Sequence, residues 1–364
     1  MIRYASVCDG IGAVHVAWQS LGWECVFTSE IARFPTAVVE HHFGLRNLRG
    51  MTEYRRWPEE LLADVDLLVG GTPCQSFSVA GYRHSLRDER GNLTLVYVNL
   101  FHHINEVRKR HGRPPAIALW ENVPGVLSTK DNAFGCFLGG LMRCNQAPEA
   151  KGGKWGNAGF LSDQSTRVGW RVLDAKYVAL AQRRRRVFVL AVPCEVVERF
   201  GEGACPLQIL SILGNVHENA PTRSSQPQEA SGSRGEFPAG EVSRGEAERQ
   251  GIDDSGCGEP VVVGSSEVAG TLTARRTEGF RSNGTIIEGL AITPDGPRRF
   301  TPRERERLMG FPDDYTAIVN QRGDTAADSP RVTAIGNSMP VPVLRWIGEQ
   351  IAKAIGGAGT PKCC

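Results

Sequence analysis

Short apolar runs alternate with helix-like stretches over the first 190 residues. Ile2–Val7 (IRYASV) has the unbroken apolar character of a buried strand. Cys25–Glu30 (CVFTSE), Asp64–Gly71 (DVDLLVGG) and Ala116–Asn122 (AIALWEN) predict three more strands. Trp170–Val178 (WRVLDAKYV) and Arg186–Val192 (RVFVLAV) predict a late strand pair. Between them, Val14–Gly22 reads as a helix stopped by glycine, and Ala32–Gly44 as a second helix. Leu95–Arg110 has an apolar stripe and a basic end, the pattern of an amphipathic helix with cations at its carboxyl terminus. This alternation predicts an α/β sheet covered by helices.

The pattern lapses after Pro193. From Asn215 to Gly258 the chain is rich in Gly, Ser, Glu, Arg and Pro, its only aromatic is Phe237, and SRGE occurs twice. Such a stretch cannot bury enough apolar surface to form a compact subdomain, so it is expected to be disordered or to order only on a partner. Strand-like patterning resumes at Pro260–Arg276 and Asn283–Thr293, and Pro340–Gly356 reads as a helix after an extended entry.

Composition changes this picture little. The chain is 41% hydrophobic and 23% charged, ordinary for a soluble globular protein, and its 364 residues suffice for one large domain with a smaller insert. No apolar run is long enough for a membrane span, and the first residues lack a signal-peptide pattern, so a cytoplasmic location without a membrane partner is expected. Ten cysteines without a C-x-x-C pair or zinc-finger spacing argue against a disulfide scaffold and a structural metal. The net charge of +2 does not announce a nucleic-acid binder. Local charge is more telling: Gln182–Arg186 is QRRRR, and Arg298–Leu308 carries five arginines. The second run also holds Glu304 and Glu306, so it fits a helix laced with ion pairs equally well.

Three places carry candidate chemistry. The turn Asp9–Gly10–Ile11–Gly12 follows a strand and opens a helix, which lets backbone approach a ligand. Glu30, twenty residues after Gly10, stands where a carboxylate can hold ribose hydroxyls; a plain βα turn with a surface glutamate is the simpler alternative. Cys74 follows the third strand in GGTPCQSFSVAG, outside the apolar run where a packing cysteine belongs. It reads as a packing residue or as a nucleophile exposed at a strand's carboxyl end. Glu121–Asn122 ends the fourth strand, where the carboxyl could act as acid, base or clamp and Asn122 could simply cap a helix.

Together these motifs resemble the DNA (cytosine-5)-methyltransferases across nearly the whole chain, except about residues 200–265. CDGIG, GGTPCQSFS, DERGNL, ENV, QRRRR, RRFTPRERERLMGFPDDY and AIGNSMPVPV are similar to the family's motifs and stand in its order. The resemblance implies a Rossmann-like S-adenosylmethionine-dependent methyltransferase sheet carrying an inserted, smaller target-recognition domain. Residues 1–193 would form the catalytic and cofactor-binding part, 194–297 the recognition region, 298–355 the part completing the catalytic domain, and 356–364 a tail.

The resemblance also implies roles. Cys74 would attack C6 of a cytosine flipped out of duplex DNA, and C5 would then take the methyl group. Glu121 would hydrogen-bond the base at N3 and its exocyclic amine. Arg186 would contact O2, and Arg184 would help hold the extruded nucleotide. S-adenosylmethionine, without a metal, would be held by Asp9, Gly10, Ile11, Gly12, Glu30, Pro73 and Asn337. DNA would be touched by Gln75, Ser76, Ser78 and Gln182, and read by Thr271, Leu272 and Arg275. RNA methylation and a degenerate DNA-binding relative are the rival readings. A monomer acting on double-stranded DNA is expected, with a cognate restriction endonuclease as one candidate partner. Two departures stand out: Cys8 replaces the aromatic residue usual before the first glycine, and Gly50 replaces an aspartate usual for the adenine amine. The second loss would weaken cofactor binding by about 0.5–1.5 kcal/mol.

Overall fold

The first strand, β1 (Arg3–Val7), lies inside a seven-stranded sheet of order β2-β1-β3-β4-β7-β6-β5. The computed structural model describes residues 1–73, 93–129, 131–211, 290–293, 296–319 and 323–356. β2 (Glu24–Ser29), β1, β3 (Leu67–Gly70) and β4 (Ile117–Asn122) are parallel. β5 (Ala158–Ser162), β6 (Thr166–Asp174) and β7 (Arg185–Pro193) add an antiparallel half, with β7 against β4. Because β2 and β3 lie on opposite sides of β1, the chain reverses direction across the sheet there. The carboxyl ends of β1, β2 and β3 therefore border a crevice, the usual ligand position in an open parallel sheet.

Each central strand is apolar on both faces, because helices cover both. In β4, Ile117 and Leu119 enter one core while Ala118 and Trp120 enter the other; in β7, Phe188 and Leu190 alternate with Val187 and Val189. The first core is covered by α1 (Ala13–Trp18), α2 (Arg33–Phe43), and elements from the far end of the chain. The second is covered by α3 (Glu59–Ala63), α4 (Leu93–Arg110) and α5 (Ala133–Leu141).

Residues 194–211 fold as α6 (Cys194–Phe200) and α7 (Pro206–Ile209). Val196, Val197, Ile209 and Leu210 join the first core, so this stretch packs with the seven-stranded sheet, whereas the resemblance grouped it with the inserted region. After a hairpin of β8 (Leu290–Thr293) and β9 (Gly296–Arg299) come α8 (Pro302–Met309), α9 (Asp328–Asn337) and α10 (Val341–Gly356). α8 begins with a capping box between Thr301 and Glu304. Arg298 pairs with Glu304, Arg303 with Asp314 and Arg307 with Asp313, so this arginine run is indeed laced with ion pairs. α10 returns to α1, where the Trp18 indole N–H donates to the Leu344 carbonyl at 2.8 Å. The two ends of the chain thus build one core.

Candidate active site

The turn after β1 is held from behind. Ser6 Oγ donates to Asp9 Oδ1 at 2.5 Å, and His15 Nε2 lies 2.9 Å from Asp9 Oδ2. The Tyr4 hydroxyl is 2.9 Å from His15 Nδ1, completing a buried chain from β1 through α1 to the turn. Burial pushes the Tyr4 hydroxyl well up, so it stays protonated. Asp9 therefore turns its carboxylate inward. Gly12 has φ +77°, and a Cβ there would stand 2.9 Å from His15 Cδ2, so this position requires glycine. The Tyr315 hydroxyl donates to the Ile11 carbonyl at 2.8 Å, tying the turn to a residue 304 positions away.

Glu30 directly follows β2 and accepts from the Gly10 N–H (2.9 Å) and the Ala32 N–H (2.8 Å). Asn47 fixes its backbone, accepting from the Glu30 N–H and donating to the Glu30 carbonyl. Beside it Ile31 is 72% exposed, an apolar side chain facing outward next to a polar one. Cys8 packs against Met51, and burial, aided by Glu30 and Asp9, pushes its thiol up to about 12. Gly50 has an ordinary φ of −73°, and a Cβ there would meet only Thr52 Oγ1 at 3.6 Å and Ile31 Cγ2 at 3.9 Å. The site accepts a side chain at position 50 without strain.

The second cluster lies at the ends of β3, β4 and β7. Arg186 Nε lies 3.1 Å from Glu121 Oε1, with 13% and 12% of these side chains exposed. Burial pushes the Glu121 carboxyl up, while Arg186 and then Arg184 pull it down. Gly71 lies against this pair: a Cβ there would stand 3.0 Å from Met339 Cε and 3.1 Å from Glu121 Oε2. Next to Gly71, the Thr72 hydroxyl is 3.0 Å from the donating Trp120 Nε1 and 2.9 Å from Thr94 Oγ1. The Thr72 carbonyl accepts from Asn122 Nδ2 at 2.9 Å.

Arg184 is only 2% exposed. Its Nη2 donates to the carbonyls of Gly336 (2.9 Å) and Ser338 (2.6 Å), leaving the exposed Asn337 between two pinned residues. Burial, then Arg186, pushes Arg184 down to about 9, so it remains a cation at neutral pH. This arginine clamps the C-terminal segment, whereas the resemblance implied that it would help hold the extruded nucleotide. Gln182 is fully buried and offers no surface to DNA in this conformation. Cys74, Gln75, Ser76, Ser78, Thr271, Leu272 and Arg275 lie outside the described residues, as do 215–258 and 357–364. Pro73 precedes the first of these and is exposed.

Sequence reasoning missed Tyr4, His15, Asn47, Thr72 and Tyr315. His15, Asn47 and Tyr315 bond the site residues Asp9, Glu30 and Ile11, while Tyr4 bonds His15 and Thr72 bonds the two neighbours of Glu121. Only His15 had a local signal, three residues after Gly12 on the helix that the turn opens. Among the described residues no group of His, Cys, Asp or Glu could hold a metal ion, and no helix is long and apolar enough to cross a membrane.

The sheet with its crevice at β1 and antiparallel β7 defines the class of S-adenosylmethionine-dependent methyltransferase folds. The structure superposes on the Dnmt2 methyltransferase of S. pombe with a TM-score of 0.56 at 17% identity, covering 97% of this chain and 99% of that one. Entamoeba histolytica methyltransferase EhMeth gives 0.56 at 14% identity, covering 97% and 98%. Within this class the chain belongs to the C-5 cytosine-specific DNA methylases, whose family profile matches residues 2–353. It is 26% identical to the type II methyltransferase M.DsaV of Dactylococcopsis salina, covering 97% of this chain and 87% of that protein. It is 27% identical to M.HpaII of Haemophilus parainfluenzae, covering 95% and 88%. A protein of Escherichia phage P1 named DNA N-6-adenine-methyltransferase is 34% identical over 97% of this chain, which spans 61% of that protein's length.

Proposed function

We propose that this protein methylates C5 of a cytosine in duplex DNA. The observation that carries the reading is the Glu121–Arg186 pair, partly exposed and lying against Gly71, three residues before Cys74. C5 of cytosine is a poor nucleophile until a thiolate adds to C6. Cys74 would form the S–C6 bond and push electrons toward C5 and N3. Burial makes the Glu121 carboxyl easier to protonate than a free one, so Glu121 would donate to N3 as charge develops there, and its other oxygen would accept from the exocyclic amine. Arg186 would hold O2. After C5 is methylated, a base removes its proton and the electron pair expels Cys74. A target inside a duplex is out of reach, so the base must leave the stack.

The residues present fit S-adenosylmethionine. The Asp9–Gly12 backbone, the Glu30 carboxylate, exposed Ile31, Pro73 and Asn337 would hold it; when bound, it supplies an electrophilic methyl group. Cys8 and Gly50 leave the adenine end less enclosed than in family members with an aromatic residue and an aspartate there. Gln75, Ser76 and Ser78 would follow the phosphates, and Thr271, Leu272 and Arg275 would read bases. The type II names among the relatives favour a cognate restriction endonuclease as partner.

The name of the phage P1 relative raises a second reading, transfer to N6 of adenine. An exocyclic amine attacks a methyl group directly and has no use for a thiol nucleophile. The test is incubation with S-adenosylmethionine and duplex DNA, followed by nucleoside digestion and mass spectrometry. 5-Methylcytosine, with a covalent adduct on 5-fluorocytosine DNA that Cys74→Ala abolishes, is the expected result. N6-Methyladenine alone, or no methylated base, overturns the proposal; preferential methylation of tRNA transfers it to RNA.

A further inference from the structure

We infer that Thr72 is a positioning residue that sets the orientation of Glu121; this deepens the reading just given and rests on it. Thr72 is the second residue beyond the end of β3. The register pairs Gly70 with Trp120, so continuing it sets Gly71 beside Glu121 and Thr72 beside Asn122. Thr72 is nearly fully buried and holds both neighbours of Glu121: its hydroxyl takes the Trp120 indole N–H, and its carbonyl takes the Asn122 amide. Side chains alternate along a strand, so fixing residues 120 and 122 on one face leaves residue 121 only the other. That other face holds Gly71, Met339 and Arg186, the last at 3.1 Å.

The Trp120 bond also fixes the roll of β4 near its carboxyl end. Trp120 is 1% exposed and rests on Phe137, with ring centroids 4.3 Å apart, so its indole cannot swing to another acceptor without breaking the core. The hydroxyl of Thr72 is further shared with Thr94 Oγ1, near the start of α4. One side chain thus joins β3, β4 and α4 directly behind the carboxyl. A valine has the same shape and keeps the carbonyl bond to Asn122 but loses both hydroxyl bonds, so the hydroxyl's share of the role can be separated from packing.

The test compares Thr72→Val and Thr72→Ser with the wild-type protein in steady-state methylation. Thr72→Val should lower kcat by about tenfold, as expected for a small misplacement of a reacting group, with KM for S-adenosylmethionine within about twofold of wild type. Thr72→Ser should restore kcat. In a Glu121→Gln background Thr72→Val should add nothing, because the residue it positions is gone. Unchanged kcat in Thr72→Val, an equal loss in Thr72→Ser, or an additive loss with Glu121→Gln overturns the inference. If Thr72→Val does not fold, Trp120→Phe removes the same bond from its donor side and is read in the same way. A readout independent of turnover is the NMR titration of the Glu121 carboxyl carbon. Its midpoint should move in Thr72→Val and coincide with wild type in Thr72→Ser, whether or not the wild type methylates cytosine. An unmoved midpoint overturns the positioning role, whereas absence of 5-methylcytosine from the wild type overturns only the proposed activity.

Discussion

Arg186 Nε and Glu121 Oε1 lie 3.1 Å apart because β4 and β7 run antiparallel in a fixed register. Glu121 is opposite Phe188, and Arg186 stands two residues before Phe188 on the same face of β7. A diagonal pair of this kind brings long side chains within reach. The pair is 65 residues apart in the chain, so nothing local makes it.

Burial raises the Glu121 value, and the sign for activity follows. The protonated carboxyl that donates to N3 is present below the raised value and lost as pH rises through it, so kcat should fall on the alkaline side. Folding has the same sign: the folded state binds this proton more tightly than the unfolded chain, so this contribution to stability is lost as pH rises. Glu121→Gln should lower kcat and remove that limb. A pH–rate profile of both proteins checks it, and an unchanged limb assigns the titration to another group.

Gly71 has no room for a methyl group. Gly71→Ala would set a Cβ 3.1 Å from Glu121 Oε2 and 3.0 Å from Met339 Cε, and only the methionine end is flexible. Loss of kcat by about tenfold is expected. Met339→Ala in the same chain should recover part of it, measured by methyl incorporation.

Arg184 pins Gly336 and Ser338, and so presents Asn337. Arg184→Met leaves both carbonyls without this donor and should cost about 2–4 kcal/mol in urea unfolding. If the pinned segment serves the cofactor, KM for S-adenosylmethionine rises at temperatures where the variant is still folded. A stability loss with unchanged KM separates Arg184 from cofactor binding.

The Tyr315 hydroxyl bonds Ile11 in the turn after β1. Tyr315→Phe removes that bond alone and should weaken S-adenosylmethionine binding by about 1 kcal/mol, roughly fivefold in Kd. Calorimetric titration of the two proteins measures the difference.

Gly50 sits in ordinary backbone geometry with room beside it. Gly50→Asp should tighten S-adenosylmethionine binding by about 0.5–1.5 kcal/mol if the adenine amine lies near Thr52 and Ile31. The same titration decides; a weaker Kd would place the adenine elsewhere.

Much of this was legible in the sequence. The six strands read from apolar runs all appear, each within a few residues of its expected bounds, because runs buried on both faces need no partner to be recognised. Two helix ends were equally local: Gly22 and Gly44 adopt the left-handed conformation that stops a helix. β5 escaped, being half-exposed and weakly patterned, and so did α5, apolar all round and without a periodic face.

The sequence by itself determined the order of the elements, the turn at Asp9–Gly12, and the chemistry available at positions 74, 121 and 186. Those depend on local backbone preference and on residue type. The tertiary structure alone decided which charged side chains are turned inward. Asp9 and Arg184 look alike on paper to Glu121 and Arg186, yet they point inward, to His15 and to the carbonyls of Gly336 and Ser338. The difference comes from strand register and from the return of α9 and α10 to the first helix, contacts whose partners are far apart in the chain. Burial and pairing are properties of those contacts, so no local pattern could have announced them.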